Sequence, residues 1–316
     1  MYQNIVTLTE FIVSEERKFK NATGGFTLLL THIENAGKII ASHVKRSGLV
    51  DIIGKTGKRN AFDEEVQKLD AFSDKLLIDI LSESGQVGTI GSEELENPIV
   101  INKKGKYNVF FDPLDGSSNI DTNISIGTIF SIYHNDGPLL QKGKKQVGAG
   151  YIMYGTSVMF MYTCGNGVNG FTLDPAVGSF LLSHENIRVP EKKNIYSVNE
   201  GYYELFDENM KKYLHAIKKG EKPYQTRYVG SMVADVHRTL LKGGIFMNPA
   251  NKNKPTGKLR LMYEVNPLSY VMEQAGGLAT SNGINPLDIE PQSLTQRVPI
   301  AMGSKDEIKK YLKFIS

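Results

Sequence analysis

Two aspartates lie three residues apart where an apolar stretch of the chain ends. The segment Phe111–Asn119 reads Phe-Asp-Pro-Leu-Asp-Gly-Ser-Ser-Asn, so Asp112 and Asp115 flank a proline turn. Carboxylates and carbonyls are ligands of Mg²⁺, and the Leu114 carbonyl is a further candidate because the neighbouring proline constrains the backbone. Gly116–Ser118 can then present backbone N–H groups to an anion. The segment indicates a cation site beside a phosphate, although an ordinary turn after a strand fits the same residues.

Further acidic residues occur at two places earlier in the chain. Glu93 and Glu94 follow a short apolar stretch, and such a pair alone is typical of a solvated turn. Asp63–Glu65 and Asp70 lie where a helix is expected to begin, and acids at a helix start interact favourably with its dipole. We interpret the first and third acids of Asp63–Glu65 in that way.

Glu264 ends a segment that also carries positive charge. Lys258 and Arg260 alternate with apolar residues before it, so one face of the segment is cationic. Asn266-Pro267 then indicates the start of a helix. Lys258 fits an ordinary surface lysine equally well, but next to Glu264 it also suits a site that binds phosphate.

Acids at four places and a nearby lysine suit phosphate-monoester hydrolysis. The phosphate dianion repels an attacking water, and clustered divalent metals neutralise that charge and lower the pKa of a bound water. The sequence has no G-x-x-x-x-G-K-[ST] loop, no G-x-S-x-G elbow and no H-E-x-x-H motif. Its six histidines are scattered without metal-ligand spacing.

The composition is that of an ordinary globular protein. The chain has 316 residues, of which 40% are apolar and 22% charged, and its net charge of +3 suggests neither nucleic acid nor membrane as a partner. The single cysteine, Cys164, excludes an intrachain disulfide, and we expect it to be a small buried apolar residue. Without a secretory signal or an apolar run of ~18 residues, we expect a cytoplasmic protein.

The elements that must position these residues follow from hydrophobic periodicity. Helices are predicted at Thr27–Val44 and from Val66 to Leu81, with a mobile polar loop over residues 45–60 between them. Strands are then predicted at Val87–Ile90, Tyr107–Phe111, Ile124–Tyr133, Val147–Tyr154 and Ser157–Cys164, the last opening a hairpin over 157–174.

The second half of the chain alternates between strands and helices, which is typical of an α/β layered domain. The predicted order is a strand at Ile195–Val198, a helix at Tyr203–Lys218, a strand at Tyr224–Val229, a helix at Met232–Leu241, a strand at Gly244–Met247, a helix from Asn266, a strand at Val298–Met302 and a helix from Lys305. We predict an α/β (α+β layered) fold of alternating helix and sheet layers. Residues 1–190 would form a helix-covered antiparallel sheet domain with the metal site, and residues 191–316 an α/β domain that binds sugar phosphate.

Five segments resemble the class I fructose-1,6-bisphosphatases, and the likeness runs from about residue 20 to the C-terminus. The segments are Ser92–Glu94, Asp112–Ser118, Asn199–Tyr202, Arg227–Arg238 and Gly257–Glu264. Asp112–Ser118 alone would also suit the wider lithium-sensitive phosphatases, which include inositol monophosphatases. The last two segments are specific to the sugar-bisphosphate branch.

The resemblance implies a role for each matching residue. The metal, Mg²⁺ with Mn²⁺ or Zn²⁺ as possible substitutes, would be held by Glu64, Glu93, Asp112, the Leu114 carbonyl, Asp115 and Glu264. Asp70 and Glu94 would orient or deprotonate the attacking water. The substrate would be bound by Asp115, Gly116, Ser117, Ser118, Asn199, Tyr202, Arg227, Tyr228, Asn248 and Lys258. In this family the arginine at the Arg227 position reaches the neighbouring subunit's site, so a homo-oligomer, a tetramer by family norm, is expected.

The sequence departs from the family at two sites. Where the family has a tyrosine that contacts the 6-phosphate, this chain has Asn248, which affects affinity and substrate breadth. The AMP-inhibition site would comprise Thr23, Gly24, Thr27, Lys106 and Tyr107. There Gly25 replaces a glutamate and His134 an arginine, and a mostly neutral histidine cannot clamp a phosphate as arginine does. We expect weak, altered or absent AMP inhibition.

The resemblance implies hydrolysis of fructose 1,6-bisphosphate to fructose 6-phosphate and phosphate, a gluconeogenic reaction. Three alternatives stay open: action on sedoheptulose 1,7-bisphosphate, action on inositol phosphates or 3′-phosphonucleotides, and a non-catalytic sensor of sugar phosphates. A sensor has no need for Asp70 and Glu94, so the full acidic set favours an enzyme.

Overall fold

The computed structural model describes residues 5–17, 23–47, 49, 55–59, 65–219 and 222–315. The α-helices in these residues are α1 (Leu8–Glu16), α2 (Gly25–Val44), α3 (Lys68–Glu83), α4 (Glu208–Lys219), α5 (Met232–Lys242), α6 (Asn266–Gln274) and α7 (Lys305–Ile315). A π-helical turn, Leu261–Val265, leads directly into α6. Short 3-10 helices include Ser117–Thr122 and Glu200–Leu205.

The strands form two main sheets and two short ribbons. They are β1 (Lys55–Arg59), β2 (Glu65–Gln67), β3 (Val87–Ser92), β4 (Ile99–Val100), β5 (Tyr107–Asp115), β6 (Ile126–His134), β7 (Gln146–Tyr154), β8 (Val158–Thr163), β9 (Val168–Asp174), β10 (Ser179–Ile187), β11 (Ile195–Ser197), β12 (Gln225–Thr226), β13 (Ile245–Asn248), β14 (Leu259–Arg260), β15 (Leu278–Thr280), β16 (Arg297–Val298) and β17 (Ile300–Gly303).

The larger sheet has eight strands in the order β10-β9-β8-β7-β6-β5-β3-β4. Adjacent strands in this sheet are antiparallel, except that β3 and β5 are parallel. The smaller sheet has the order β12-β11-β13-β17-β15, in which β11 runs parallel to both of its neighbours. The ribbons are β1-β2 and β14-β16, both antiparallel.

Side-chain alternation along the strands places a hydrophobic core on each face of each sheet. On β6, Phe130 packs in a cluster with α1, α2 and α3, whereas the adjacent Ile129 packs in a second cluster with α5 and α6. On β13, Phe246 joins that second cluster, whereas Ile245 and Met247 join a third with α4 and α7. The fold is therefore five layers, helix–sheet–helix–sheet–helix, which confirms the predicted alternation.

Most predicted elements are present with shifted boundaries. The predicted helix Thr27–Val44 begins two residues earlier, and the predicted hairpin over 157–174 is formed by β8 and β9. Helix α1 and strands β10 and β15 were not predicted. The predicted helix Tyr203–Lys218 is divided, because the Asp207 carboxylate accepts the N–H of Met210 at 2.7 Å and begins a new helix there.

Three other predictions differ from the structure. The mobile loop over 45–60 contains strand β1, and its residues 48, 50–54 and 60 lie outside the described part. Glu65 lies in β2 rather than at a helix start, since α3 begins at Lys68. The predicted strand Tyr224–Val229 is reduced to the two residues of β12. Within the described residues, the helices are all too short or too polar to cross a bilayer.

Candidate active site

Five of the predicted acids, Glu93, Glu94, Asp112, Asp115 and Glu264, line one cavity of about 300 Å³ between the two main sheets. β5 delivers Asp112 and Asp115 at its C-terminal end, β3 leads into Glu93, and the π-helical turn carries Glu264. The cavity is lined by Glu93, Glu94, Asp112, Leu114, Asp115, Gly116, Ser117, Ser118, Tyr228, Gly230, Met232, Asp235, Phe246, Asn248, Lys258, Leu259, Arg260 and Glu264. Segments far apart in the sequence therefore converge as predicted.

The turn after β5 is fixed by hydrogen bonds from two directions. The N–H of Leu114 donates to Asp112 Oδ1 at 2.9 Å, and the N–H of Val233 donates to Asp115 Oδ2 at 2.7 Å. Gly116 has φ 78°, and a Cβ there would lie 2.6 Å from Ser231 Oγ. The turn consequently requires glycine, both for its left-handed backbone and for its close approach to the start of α5.

Glu264 is held by the strand that precedes it. The backbone N–H of Arg260 donates to Glu264 Oε2 at 2.6 Å, while the Arg260 guanidinium forms an ion pair with Glu93. Arg260 is 4% exposed, so its charge acts in a low-dielectric environment and offsets one carboxylate of the group. The π-helical turn ends before Pro267, which has no N–H to continue an α-helical pattern into it.

Three of these carboxylates lie close enough to share a cation. Asp112, Asp115 and Glu264 are all buried, and each offers one oxygen within 4.8 Å of the others. Burial, followed by the charge of Glu93, raises the pKa of Asp112 and of Glu264 well above the usual range for acids. Burial also raises the pKa of Asp115 to about 6, against hydrogen bonds from Val233 and Ser231 that lower it. Buried carboxylates that repel one another suit a hard divalent cation as their counter-charge.

A second cavity of about 250 Å³ adjoins the first and shares Tyr228, Asn248 and Lys258 with it. Asn199 and Tyr202, which the sequence predicts to bind substrate, line this second cavity. Asn199 also caps the 3-10 helix that carries Tyr202, accepting the N–H of Gly201 at 3.0 Å. The predicted substrate residues are thus divided between two connected spaces.

Two predicted site residues lie outside both cavities, and a third is not among the described residues. Asp70 is buried at the start of α3 and does not line the acidic cavity. Arg227 is exposed after β12, where its guanidinium contacts the Thr226 carbonyl and Gln225 Oε1 rather than either cavity. Glu64 lies outside the described residues. The roles assigned to these residues stay predictions.

The structure also shows polar residues that were not predicted to belong to the site. Asp74 on α3 accepts a 2.5 Å hydrogen bond from Ser92 Oγ, directly before Glu93, and burial raises the pKa of Asp74. Asp235 lines the acidic cavity, accepts the N–H groups of Val229 and Gly230 at 3.1 Å, and pairs with Arg238. Arg260 was predicted only to belong to the cationic face of its segment, and its ion pair with Glu93 was not predicted.

A third cavity, of about 590 Å³, contains residues of the predicted effector site. Thr23, Lys106, Tyr107 and His134 line it, and Lys106 Nζ donates to Thr23 Oγ1 at 2.8 Å. Gly24 precedes α2 with φ 74°. Cys164 lines the cavity and is half-buried, not fully buried as predicted.

The first turn of α2 next to this cavity already has an anionic partner. The N–H of Thr27 donates to Glu16 Oε1 at 3.2 Å. His134 stacks on Tyr107, with ring centroids 5.5 Å apart. The cavity therefore holds carboxylates and a histidine close to the residues of the predicted effector site.

Comparison with known proteins covers the whole length of the chain. Residues 6–185 match the family model "Fructose-1-6-bisphosphatase, N-terminal domain", and residues 189–316 match "Fructose-1-6-bisphosphatase, C-terminal domain". A class 1 fructose-1,6-bisphosphatase of Persephonella marina is 52% identical, with 100% of both chains covered. One of Sulfurihydrogenibium sp. is also 52% identical, over 96% of this chain and 95% of the relative.

Solved structures agree with the sequence comparison. The crystal structure of Leishmania major fructose-1,6-bisphosphatase in holo form superposes with a TM-score of 0.94 and 39% identity. That superposition covers 99% of each chain. The chain belongs to the class 1 fructose-1,6-bisphosphatase family.

Proposed function

We propose that this chain hydrolyses fructose 1,6-bisphosphate to fructose 6-phosphate and inorganic phosphate, as a gluconeogenic enzyme of the cytoplasm. The observation that carries the proposal is the buried group Asp112, Asp115 and Glu264, which opens into a cavity that also contains Lys258. Family membership and the relatives' names support the same reaction. We further propose that Mg²⁺ is the resident metal and that the active form is a homotetramer.

The donor set fits a divalent cation of the Mg²⁺ type. All candidate ligands are oxygen atoms, from Glu93, Asp112, Asp115, Glu264 and the Leu114 carbonyl, and none is a thiolate or imidazole. Divalent cations held there would neutralise phosphate charge and lower the pKa of the attacking water. We propose that Glu64 completes the ligand set.

The chain's own groups would orient the reaction at the 1-phosphate. The left-handed backbone at Gly116 and the 3-10 helix from Ser117 turn the backbone toward the acidic cavity, where Gly116, Ser117 and Ser118 would hold phosphate oxygens. Glu94 lines the same cavity and would accept a proton from water, with Asp70 as a second carboxylate. Water would attack phosphorus as Glu94 takes its proton, and the bond to the sugar oxygen would break. That oxygen would then take a proton from solvent and leave as the hydroxyl of fructose 6-phosphate.

The second cavity would hold the far end of the substrate. Asn199, Tyr202, Tyr228, Asn248 and Lys258 supply amide, phenol and ammonium groups suited to sugar hydroxyls and a phosphate. Arg227 would bind substrate in the site of the neighbouring subunit. Its exposed position outside both cavities of its own chain agrees with that role. The proposed division into residues 1–190, for metal binding, and 191–316, for sugar-phosphate binding, places the reaction where the two parts meet.

Sedoheptulose 1,7-bisphosphate is the second candidate substrate. Asn248 lies where the two cavities join, and its side chain is smaller than the tyrosine expected there from the family. The smaller side chain leaves room for a sugar with one more carbon. A comparison of kcat/KM on the two bisphosphates distinguishes the candidates, and a larger value for the seven-carbon substrate would replace the first proposal by the second.

The direct test is a phosphate-release assay with fructose 1,6-bisphosphate, with and without Mg²⁺. We expect release only with Mg²⁺, a loss of about 10³-fold or more in Asp115→Asn, and little action on inositol 1-phosphate. Equal background release by the wild type and by Asp115→Asn would favour a non-catalytic sensor instead.

We also propose that AMP inhibits this chain weakly or not at all. Glu16 already accepts the N–H of Thr27, and Glu15 and Glu16 line the effector cavity, so a phosphate would meet like charges there. Titration of activity with AMP tests this. Inhibition at low micromolar AMP, which corresponds to a binding free energy of roughly −8 kcal/mol, would contradict it.

A further inference from the structure

The two connected cavities of the active site differ in the sign of their charge. The metal-side cavity is lined by six carboxylate side chains and two cationic ones, so it is strongly anionic without metal. The adjoining cavity contains two lysines, Lys254 and Lys258, with asparagine and tyrosine side chains, and no acidic residue among the described residues that line it. An anion can therefore bind in the second cavity directly, whereas the first requires a cation.

Lys254 lies in a turn whose backbone is fixed from both sides. Its N–H donates to the carbonyl and to the side-chain oxygen of Asn251, both at 3.0 Å. Its carbonyl accepts the N–H of Asn251 at 3.2 Å and that of Gly257 at 3.0 Å. The backbone of Lys254 is therefore held by contacts that do not involve its ammonium group, and the side chain lines the second cavity.

Two further contacts tie this turn to the rest of the site. The N–H of Lys252 donates to the carbonyl of Leu205 at 3.1 Å, which joins the turn to the 3-10 helix that carries Tyr202. Gly257 has φ 86°, and a Cβ there would lie 2.2 Å from the Val298 backbone carbon, so the turn packs directly on the β14-β16 ribbon. The ribbon begins next to Lys258, so Lys254 and Lys258 belong to one segment that backbone hydrogen bonds and close packing hold in place.

We propose that Lys254 is a specificity-determining residue that, together with Lys258, binds a second phosphate or similar dianion at the end of the substrate remote from the metal. The substrate class is a sugar phosphate with anionic groups at both ends. This inference rests on the proposed phosphatase function, because it assigns the remote end of the same substrate.

The charge at Lys254 favours only those ligands that carry the remote anion. A phosphate dianion between two ammonium groups gains charge-assisted hydrogen bonds from both. A sugar with a phosphate only at the metal end would place hydroxyl groups in the second cavity. Its binding free energy would therefore not depend on the charge of Lys254. The residue should therefore affect KM for bisphosphates while kcat and the chemistry at the metal side stay unchanged.

The test compares Lys254→Ala with Lys252→Ala, an exposed lysine of the same turn that lines neither cavity. Kinetic constants are measured for fructose 1,6-bisphosphate and for fructose 1-phosphate. We expect Lys254→Ala to raise KM for the bisphosphate about tenfold at unchanged kcat, with no change for fructose 1-phosphate. Lys252→Ala should behave as wild type on both substrates, and Lys254→Arg should retain most of the bisphosphate affinity.

Binding of fructose 6-phosphate by calorimetry, in EDTA, separates this inference from the proposed function. We expect Lys254→Ala to weaken that binding about tenfold and Lys252→Ala to leave it unchanged. Equal effects of the two alanine variants, or an equal rise in KM for both substrates, would overturn the role of Lys254. A wild type that binds fructose 6-phosphate through Lys254 but releases no phosphate would overturn the proposed reaction and keep the subsite.

Discussion

Asp112, Asp115 and Glu264 are brought together against their mutual repulsion. Burial raises the pKa of each of them, and the charge of Glu93 raises it further. Such an arrangement destabilises the metal-free fold, because Arg260 offsets only part of the negative charge that is buried there. Backbone hydrogen bonds from Leu114, Val233 and Arg260 hold the carboxylates in place nevertheless.

Replacement of Asp112 by asparagine should lower the activity and raise the stability of the metal-free protein. We expect Asp112→Asn to lower kcat at least 10³-fold and to raise the melting temperature of the EDTA-treated protein by a few degrees, because one buried charge is removed. Mg²⁺ should raise the melting temperature of the wild type and have little effect on the variant. Calorimetric scans with EDTA and with Mg²⁺ measure both effects, and a variant that Mg²⁺ stabilises as strongly as the wild type would exclude Asp112 as a ligand.

Gly116 should tolerate no side chain. Alanine would place a Cβ 2.6 Å from Ser231 Oγ and would have to adopt φ 78°. We expect Gly116→Ala to reduce kcat more than tenfold and to cost about 1–2 kcal/mol in the free energy of unfolding. Steady-state kinetics and urea unfolding check this, with Gly178→Ala (φ 73° on an open turn) as the control for backbone strain alone. Equal kcat values in the two variants would show that the contact with Ser231 is unimportant.

Single residues of the site were predictable where the pattern was local. Asp112 and Asp115 stand together in a turn motif, and the segment around Lys258 and Glu264 alternates charge with apolar residues. Asp74 carried no such signal, because it is one acid among several on an amphipathic helix. Its contact with Ser92 arises only when α3 packs beside the end of β3.

At the level of elements, the site depends on an ion pair that joins β14 to the segment directly after β3. Arg260 on β14 pairs with Glu93, which directly follows β3, and both are nearly inaccessible to solvent. The pair therefore links the small ribbon β14-β16 to the large sheet. Each partner would be an uncompensated buried charge without the other.

Arg260→Met should consequently be strongly destabilising. We expect a loss of about 3–5 kcal/mol in the free energy of unfolding, because Glu93 stays buried without its partner. The double variant Arg260→Met with Glu93→Gln should recover part of that loss, since neither charge is then left unpaired. Urea unfolding of the single and double variants in EDTA measures the coupling, and strictly additive losses would contradict a direct interaction.

The elements themselves were predictable where periodicity was strong. The core strands β5 to β8 and helices α2, α5 and α6 follow clear apolar patterns. The polar strand β1 could not be recognised, because its pairing with β2 involves backbone contacts and no apolar alternation. The parallel pairing of β3 with β5 is set by the connection through β4, which side-chain patterns do not reveal.

For the whole molecule, the five layers make the two halves of the chain share one core. The second hydrophobic cluster, between the two sheets, contains Tyr151 and Ile129 from the large sheet together with Phe246 and Met302 from the small one. The cavities lie near this junction, so the position of the site depends on packing between the halves. Periodicity predicts the layers but not which faces meet, because the contacts that decide this are distant in sequence.

His237 at this junction should make the stability of the whole fold pH-dependent. Burial, and then the charge of His184, lower its pKa to about 4, and its Nδ1 lies 2.8 Å from the Tyr151 hydroxyl. The histidine of the unfolded chain, with a pKa of about 6.5, binds a proton at a higher pH than His237 does in the native state. The free energy of unfolding therefore falls as pH drops from about 6.5 toward 4.

We expect this histidine to contribute a loss of about 2 kcal/mol between pH 7.5 and pH 5.0. Urea unfolding of wild type and His237→Gln at the two pH values isolates that contribution from the opposite effect of the raised carboxylate pKa values. A pH dependence identical in the two proteins would contradict the neutral buried state of His237.

We propose that Asp112, Asp115 and Glu264 hold divalent cations beside the substrate. Anomalous diffraction at the manganese edge, from crystals grown with Mn²⁺ and fructose 6-phosphate plus phosphate, tests it most directly. We predict manganese peaks at about 2–2.3 Å from oxygens of these carboxylates, with phosphate contacting the same ions. Full-occupancy manganese bound only at other residues, with these three carboxylates unliganded, would show that Asp112, Asp115 and Glu264 are not the metal ligands.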